Sequence, residues 1–227
     1  KAVCKYVIID NKITATNVII DPEFTRTMPK SVTAATGMDA ITHAVESYIS
    51  NMATPLTEYN SIKGLQLLYN NLPKVVEDGN DMEAREQMLL GCVITGFGFS
   101  NANLGLVHGI AHTLSAHFHL AHGMANAAVP PYVIAFNTEE CPEKMIELAK
   151  VIGLPTTGNT EKDSCLLAEE LKKLIQKLGI KRLSEQGIQE KDFEKLADDV
   201  LKEPVLQFNP RQNITKEQIL EILKNAY

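Results

Sequence analysis

From Met38 onward the apolar positions recur mostly at helical spacing. Met38, Ile41, Val45 and Ile49 form one such stripe, the three-and-four repeat that lines one face of an α-helix. The same period predicts further helices at 57–72, 82–98, 102–116, 123–136, 142–152, 161–178, 190–202 and 215–226. Thr215 followed by Gln218 has the form of a capping box, and Asn80 or Asp81 can cap the helix that begins beside them. Pro73, Pro155 and Pro204, with Gly79, Gly153, Gly158 and Gly179, mark the expected helix ends. The opening of the chain reads differently. Residues 3–9 and 14–21 are rich in β-branched side chains on either side of the turn-forming Asp10-Asn11-Lys12, which predicts two short strands or a hairpin. Strands this short are not a domain by themselves, and they read as the edge of a sheet whose other strands are absent. The expected architecture is therefore mainly α, a short β segment followed by a helical domain of seven to nine helices.

Composition narrows the function classes. The 227 residues are 44% hydrophobic and 22% charged, ordinary values for a globular protein with a substantial core. A net charge of −6 without a basic run argues against nucleic acid or an anionic membrane as partner. No apolar stretch approaches the ~18 residues of a spanning helix, and no signal-peptide pattern opens the chain. Cys4, Cys92, Cys141 and Cys165 are scattered, which reads as reduced thiols in a cytoplasmic protein. The start at Lys1, with no initiator Met, reads as a piece of something longer.

The candidate chemistry is concentrated in the histidines. All six lie in two stretches: His43 closes Gly37-Met38-Asp39-Ala40-Ile41-Thr42-His43, and Gly105 to Asn126 carries His108, His112, His117, His119 and His122. Residues four apart on a helix sit roughly 6 Å from each other on one face, so Asp39 and His43 can grip one ion together. His108 and His112 share that spacing, and either can join them. His122 stands just before Gly123, where the chain enters the next helix, and Gly105, Gly109 and Gly123 leave room for close backbone approach. A carboxylate with two or three imidazoles suits Fe(II), Zn(II), Co(II) or Mn(II). Alone, Asp39 reads as a helix cap, while His117 and His119 read as loop residues lining a cleft.

These segments resemble the iron-containing (group III) alcohol dehydrogenase family. The matching runs are Thr36-Gly37-Met38-Asp39-Ala40-Ile41-Thr42-His43-Ala44-Val45-Glu46, Gly105-Leu106-Val107-His108-Gly109-Ile110-Ala111-His112 and Ala121-His122-Gly123-Met124-Ala125-Asn126-Ala127. Ile20-Asp21-Pro22, Met28-Pro29, Ala84-Arg85, Asn137 and Asn209-Pro210-Arg211 also fit, so the resemblance covers nearly the whole chain. It implies that Asp39, His43, His108 and His122 are the ligands of a catalytic Fe(II) or Zn(II). It places His112 on the nicotinamide side as a catalytic and cofactor-facing residue, and Lys5 near the cofactor. The implied reaction is reversible NAD(P)-linked oxidation of a small alcohol to an aldehyde or ketone, with the metal lowering the alcohol's pKa and hydride passing to the nicotinamide. His112 can relay the proton or simply pack beside the cofactor. Phe97, Phe99, His112 and Phe118 are the expected pocket lining from this half. The chain departs from the family pattern at Ser115, where Gly is common, and at Ala121, where Pro usually precedes the histidine.

The family has two domains, and a pyrophosphate-binding Gly-rich turn is absent here: no two glycines are adjacent and no G-x-G-x-x-G occurs. Residues 1–22 are thus expected to be terminal strands of a missing NAD(P)-binding α/β domain, and 23–227 the helical metal-binding catalytic domain, a homo-oligomer when full length. Other readings are a non-catalytic metal-binding or assembly module, a polyol dehydrogenase, and a dehydroquinate-synthase-like lyase. A helical His-Asp phosphohydrolase needs adjacent His and Asp, and no His here precedes Asp.

Overall fold

The computed structural model describes Lys5, Val7, Ile8 and residues 10–227. Its elements are ten α-helices among the described residues: α1 (Lys30–Ile49), α2 (Pro55–Glu77), α3 (Met82–Ala102), α4 (Leu106–Phe118), α5 (His122–Ala127), α6 (Pro130–Asn137), α7 (Pro142–Val151), α8 (Thr160–Lys177), α9 (Phe193–Val200) and α10 (Lys216–Ala226). The mainly α expectation holds. No strand forms among the described residues; 14–21 run as exposed chain, with no strand among the described residues to take up their backbone hydrogen bonds. Much of the 3–9 segment lies outside the described residues. Among the described residues no single helix is long and apolar enough to cross a membrane.

Local chemistry sets the helix ends. Asp81 caps α3 by accepting from the Ala84 amide, and Thr215 and Gln218 form the capping box of α10. Gly153 and Gly179 adopt φ of +84° and +69° just past α7 and α8, the left-handed conformation that closes a helix and that glycine reaches without strain. Two expectations change. The helix expected over 123–136 is two, because Pro130 brings no N–H to continue the ladder and starts α6 instead. Pro73 does not end α2, which continues to Glu77; one lost hydrogen bond near the end of a long, packed helix is outweighed by burial of Leu72 and Val75.

The helices build two hydrophobic cores. The first joins α1, α2, α3, α7 and α8 through Met38, Ile41, Leu65, Leu68, Met88, Met145, Leu148 and Leu167. The second joins α4, α6, α9 and α10 through Leu106, Ile110, Leu114, Val133, Leu196, Ile219 and Leu223. The short α5 sits between them: Ala127 belongs to the first core, Ala125 and Ala128 to the second. Helix α1 is buried on nearly every side, so a polar residue on it must face another polar group. Asp39, His43 and Glu46 occupy one such face, at the seam where α1, α4 and α5 meet.

Candidate metal centre

One donor atom from each of Asp39, His43 and His108 lies within 4.8 Å of the others. Around Asp39 Oδ1 stand His108 Nε2 at 3.5 Å, His43 Nε2 at 3.9 Å and His122 Nε2 at 3.9 Å. Helix α1 supplies the carboxylate and one ring, α4 a second ring, and the first residue of α5 a third. Gly123 makes this approach possible, since a Cβ there would lie 3.2 Å from the backbone carbonyl of Ala35. Phe99 stacks on His43 with ring centroids 4.4 Å apart and covers that side. The His122 side chain is 31% exposed against 2% for His108, so the cluster opens toward His122.

Two further residues complete the cluster. Glu46 accepts from the Val107 amide at 2.7 Å and from Nδ1–H of His108 at 2.5 Å. Asn126 directs its amide nitrogen at Asp39 Oδ1, at His108 Nε2 (2.9 Å) and at His122 Nε2 (3.3 Å). Its Oδ1 is buried without a partner among the described residues. Both residues stand inside the quoted motifs, yet neither was singled out by sequence reasoning. The available signal was register: Glu46 is seven residues after Asp39, and Asn126 is four after His122, each one or two turns along the same helical face.

Electrostatics separates the three rings. Burial, followed by the charge of His108, pushes His43 down to about 4. Burial, with Lys5 and the neighbouring rings outweighing Asp39, pushes His122 down to about 4. Burial also opposes a charge on His108, but its hydrogen bonds to Asp39 and Glu46 prevail and raise it to about 9. Asp39 follows the same logic with the opposite sign: burial is overcome by His108 and the other rings, and its carboxyl is held at about 2. A protonated His108 points its Nε2–H at Asp39; the neutral ring accepts from Asn126 instead.

The remaining expected site residues fall around this cluster. His112, on α4, turns Nδ1 toward Glu203 Oε2 at 3.2 Å, and its ring stacks on His122 with centroids 5.5 Å apart. Lys5 places Nζ 2.9 Å from His122 Nδ1, and burial lowers its pKa. His117 is not in a loop: it lies in the last turn of α4 and pairs with Asp199 at 2.9 Å. His119 ends α4 with φ of +55°. Of the expected pocket aromatics, Phe99 borders the cluster, Phe118 packs on the second core, and Phe97 is 62% exposed. At Ala121 the backbone has φ −57° and ψ 136°, a conformation proline would share, so the departure from Pro leaves the approach to His122 in place.

A half-buried carboxylate–imidazole cluster at the seam of a helical fold defines a candidate metal-binding domain. The profile of the Fe-containing alcohol dehydrogenase family, C-terminal, matches residues 33–227, and the chain belongs to that family. It is 38% identical over 224 residues to the NAD-dependent methanol dehydrogenase of Bacillus methanolicus, covering 98% of this chain and 58% of that protein. It is likewise 38% identical over 229 residues to the 1,3-propanediol dehydrogenase of Citrobacter freundii, covering 100% and 59%. The crystal structure of a 1,3-propanediol oxidoreductase superposes with a TM-score of 0.89 at 36% identity, over 91% of this chain and 55% of that one. The chain thus spans somewhat under two thirds of the length of these relatives.

Proposed function

We propose that this chain carries the metal-binding part of an NAD(P)-linked alcohol dehydrogenase acting on a small alcohol, with Asp39, His43, His108 and His122 as the ligands of Fe(II) or Zn(II). The observation that carries the reading is the convergence of one carboxylate oxygen and three imidazole nitrogens from three separate helices. The donor set fits a divalent ion: His43 and His122 are held in the neutral form a ligand needs, and Asp39 in the charged form. The amide hydrogens of Asn126, aimed at three of the four donors, stand where positive charge is wanted.

When bound, such an ion supplies Lewis acidity toward an alcohol or carbonyl oxygen, and the nicotinamide supplies hydride exchange. This chain's residues do the rest. The single negative charge of Asp39 partly offsets the ion. Phe99, stacked on His43, keeps water from that face. His112 keeps Nδ1–H on Glu203, which leaves Nε2 free to accept a proton from the substrate side. Lys5, at the open edge beside His122, offers a cation to the cofactor. Residues 23–227 form the catalytic metal domain, and residues 1–22 belong with a nucleotide-binding α/β part. The exposed apolar run Val18, Ile19 and Ile20, at 71%, 94% and 43%, supports a further part of the protein covering it.

Metal analysis of the purified chain tests the reading. One Fe or Zn per chain is expected, lost in His122→Ala and in Asp39→Ala. Metal retained by both variants would overturn the ligand assignment.

A further inference from the structure

We propose that Glu46 is a positioning residue that fixes which nitrogen of His108 faces the metal. The inference rests on the reading of His108 as a ligand and goes a step beyond it. Glu46 is 3% exposed, and a carboxylate that deep must have its oxygens occupied. Oε1 accepts the Val107 amide at 2.7 Å and Oε2 accepts Nδ1–H of His108 at 2.5 Å. The acceptor thereby holds a hydrogen on Nδ1 and leaves Nε2, the nitrogen 3.5 Å from Asp39 Oδ1, as the one able to offer a lone pair. The fold is shaped for this contact. Gly105, the N-cap of α4, has no side chain to satisfy the first amides of the helix. Asn209 Oδ1 takes the Leu106 amide at 3.3 Å and Glu46 takes the next. A Cβ on residue 105 would stand 3.2 Å from Glu46 Oε1, so the glycine also makes room for the carboxylate.

A structural tie between α1 and α4 and a tautomer-fixing contact are separable. In Glu46→Gln the Val107 N–H can only donate, so the amide oxygen must turn to it and the amide NH2 must face His108 Nδ1. The tie survives, but Nδ1 becomes the acceptor and the hydrogen moves to Nε2. The experiment titrates wild type, Glu46→Gln and His108→Ala, each as the whole chain, with Zn(II) against a chelating indicator. The expected result is a roughly 10–100-fold weaker affinity in Glu46→Gln, with the ion-free melting temperature close to wild type. Wild-type affinity in Glu46→Gln, with affinity lost in His108→Ala, overturns the role of Glu46 alone. Wild-type affinity in His108→Ala overturns the ligand reading and this inference together. A measurement without a variant completes the test: long-range 1H–15N spectra of the Zn(II)-loaded chain are expected to show His108 protonated at Nδ1, and coordination through Nδ1 would overturn the proposal.

Discussion

The side-chain amide nitrogen of Asn126 lies 2.9 Å from Nε2 of His108. The same nitrogen also faces His122 and Asp39, while its Oδ1 is buried with no partner among the described residues. An amide with one satisfied end sitting among metal-type donors is a competitor for the place an ion would take. Asn126→Ala is therefore expected to lower the stability of the ion-free chain by about 1–3 kcal/mol, the usual penalty for leaving buried polar groups unpaired. It should also enlarge the rise in melting temperature produced by Zn(II). Thermal melts with Zn(II) and with chelator check this; an equal rise in both proteins counts against it.

The pH dependence of metal uptake follows from His108. Its pKa is raised to about 9, whereas His43 and His122 are lowered to about 4. At neutral pH only His108 among the three rings carries a proton that an ion must displace. Affinity should climb about tenfold per pH unit through the neutral range and level off above pH of about 9. Titration calorimetry in two buffers of different ionisation enthalpy should report release of about one proton per ion at neutral pH. Release of none would contradict the protonated ring.

Gly123 sets how closely α5 can approach α1. A Cβ at this position would stand 3.2 Å from the carbonyl carbon and oxygen of Ala35 and 3.3 Å from the Thr36 amide, backbone atoms that do not swing aside. Gly123→Ala is expected to cost about 1–3 kcal/mol by overpacking and to reduce metal content by displacing His122. Denaturant melts and elemental analysis of the same preparation read the two effects.

His117 provides the internal contrast. Its ring is engaged by Asp199 at 2.9 Å, at the far end of α4. His117→Ala should leave metal stoichiometry unchanged while His122→Ala abolishes it. Equal loss in both would mean that the histidines act on the fold and not on an ion.

Helical periodicity and capping were legible because they are local. The stripe from Met38 to Ile49, the box at Thr215 and the left-handed glycines after α7 and α8 each depend on residues within a turn or two. The pairing of Asp39 with His43 was legible for the same reason. The two expected opening strands were not settled by local composition, because a strand needs a neighbour to hold its backbone hydrogen bonds, and 14–21 has none among the described residues. Pro73 misled in the opposite direction, since packing of α2 outweighed a local signal.

What the sequence determined by itself was a helical chain with two histidine-bearing segments, each able to present donors from one helical face. Only the tertiary structure decided which donors meet. His108 and His112 have identical standing by spacing, one turn apart on α4, yet in the folded chain His108 meets Asp39 and His112 meets Glu203. Glu46 on α1 and Asn126 on α5 likewise reach His108 on α4 only once the helices are assembled. The physical reason is one of range: an intrahelical repeat fixes directions within a helix, whereas the meeting of helices is set by two hydrophobic cores and by a glycine that lets α5 lie against α1.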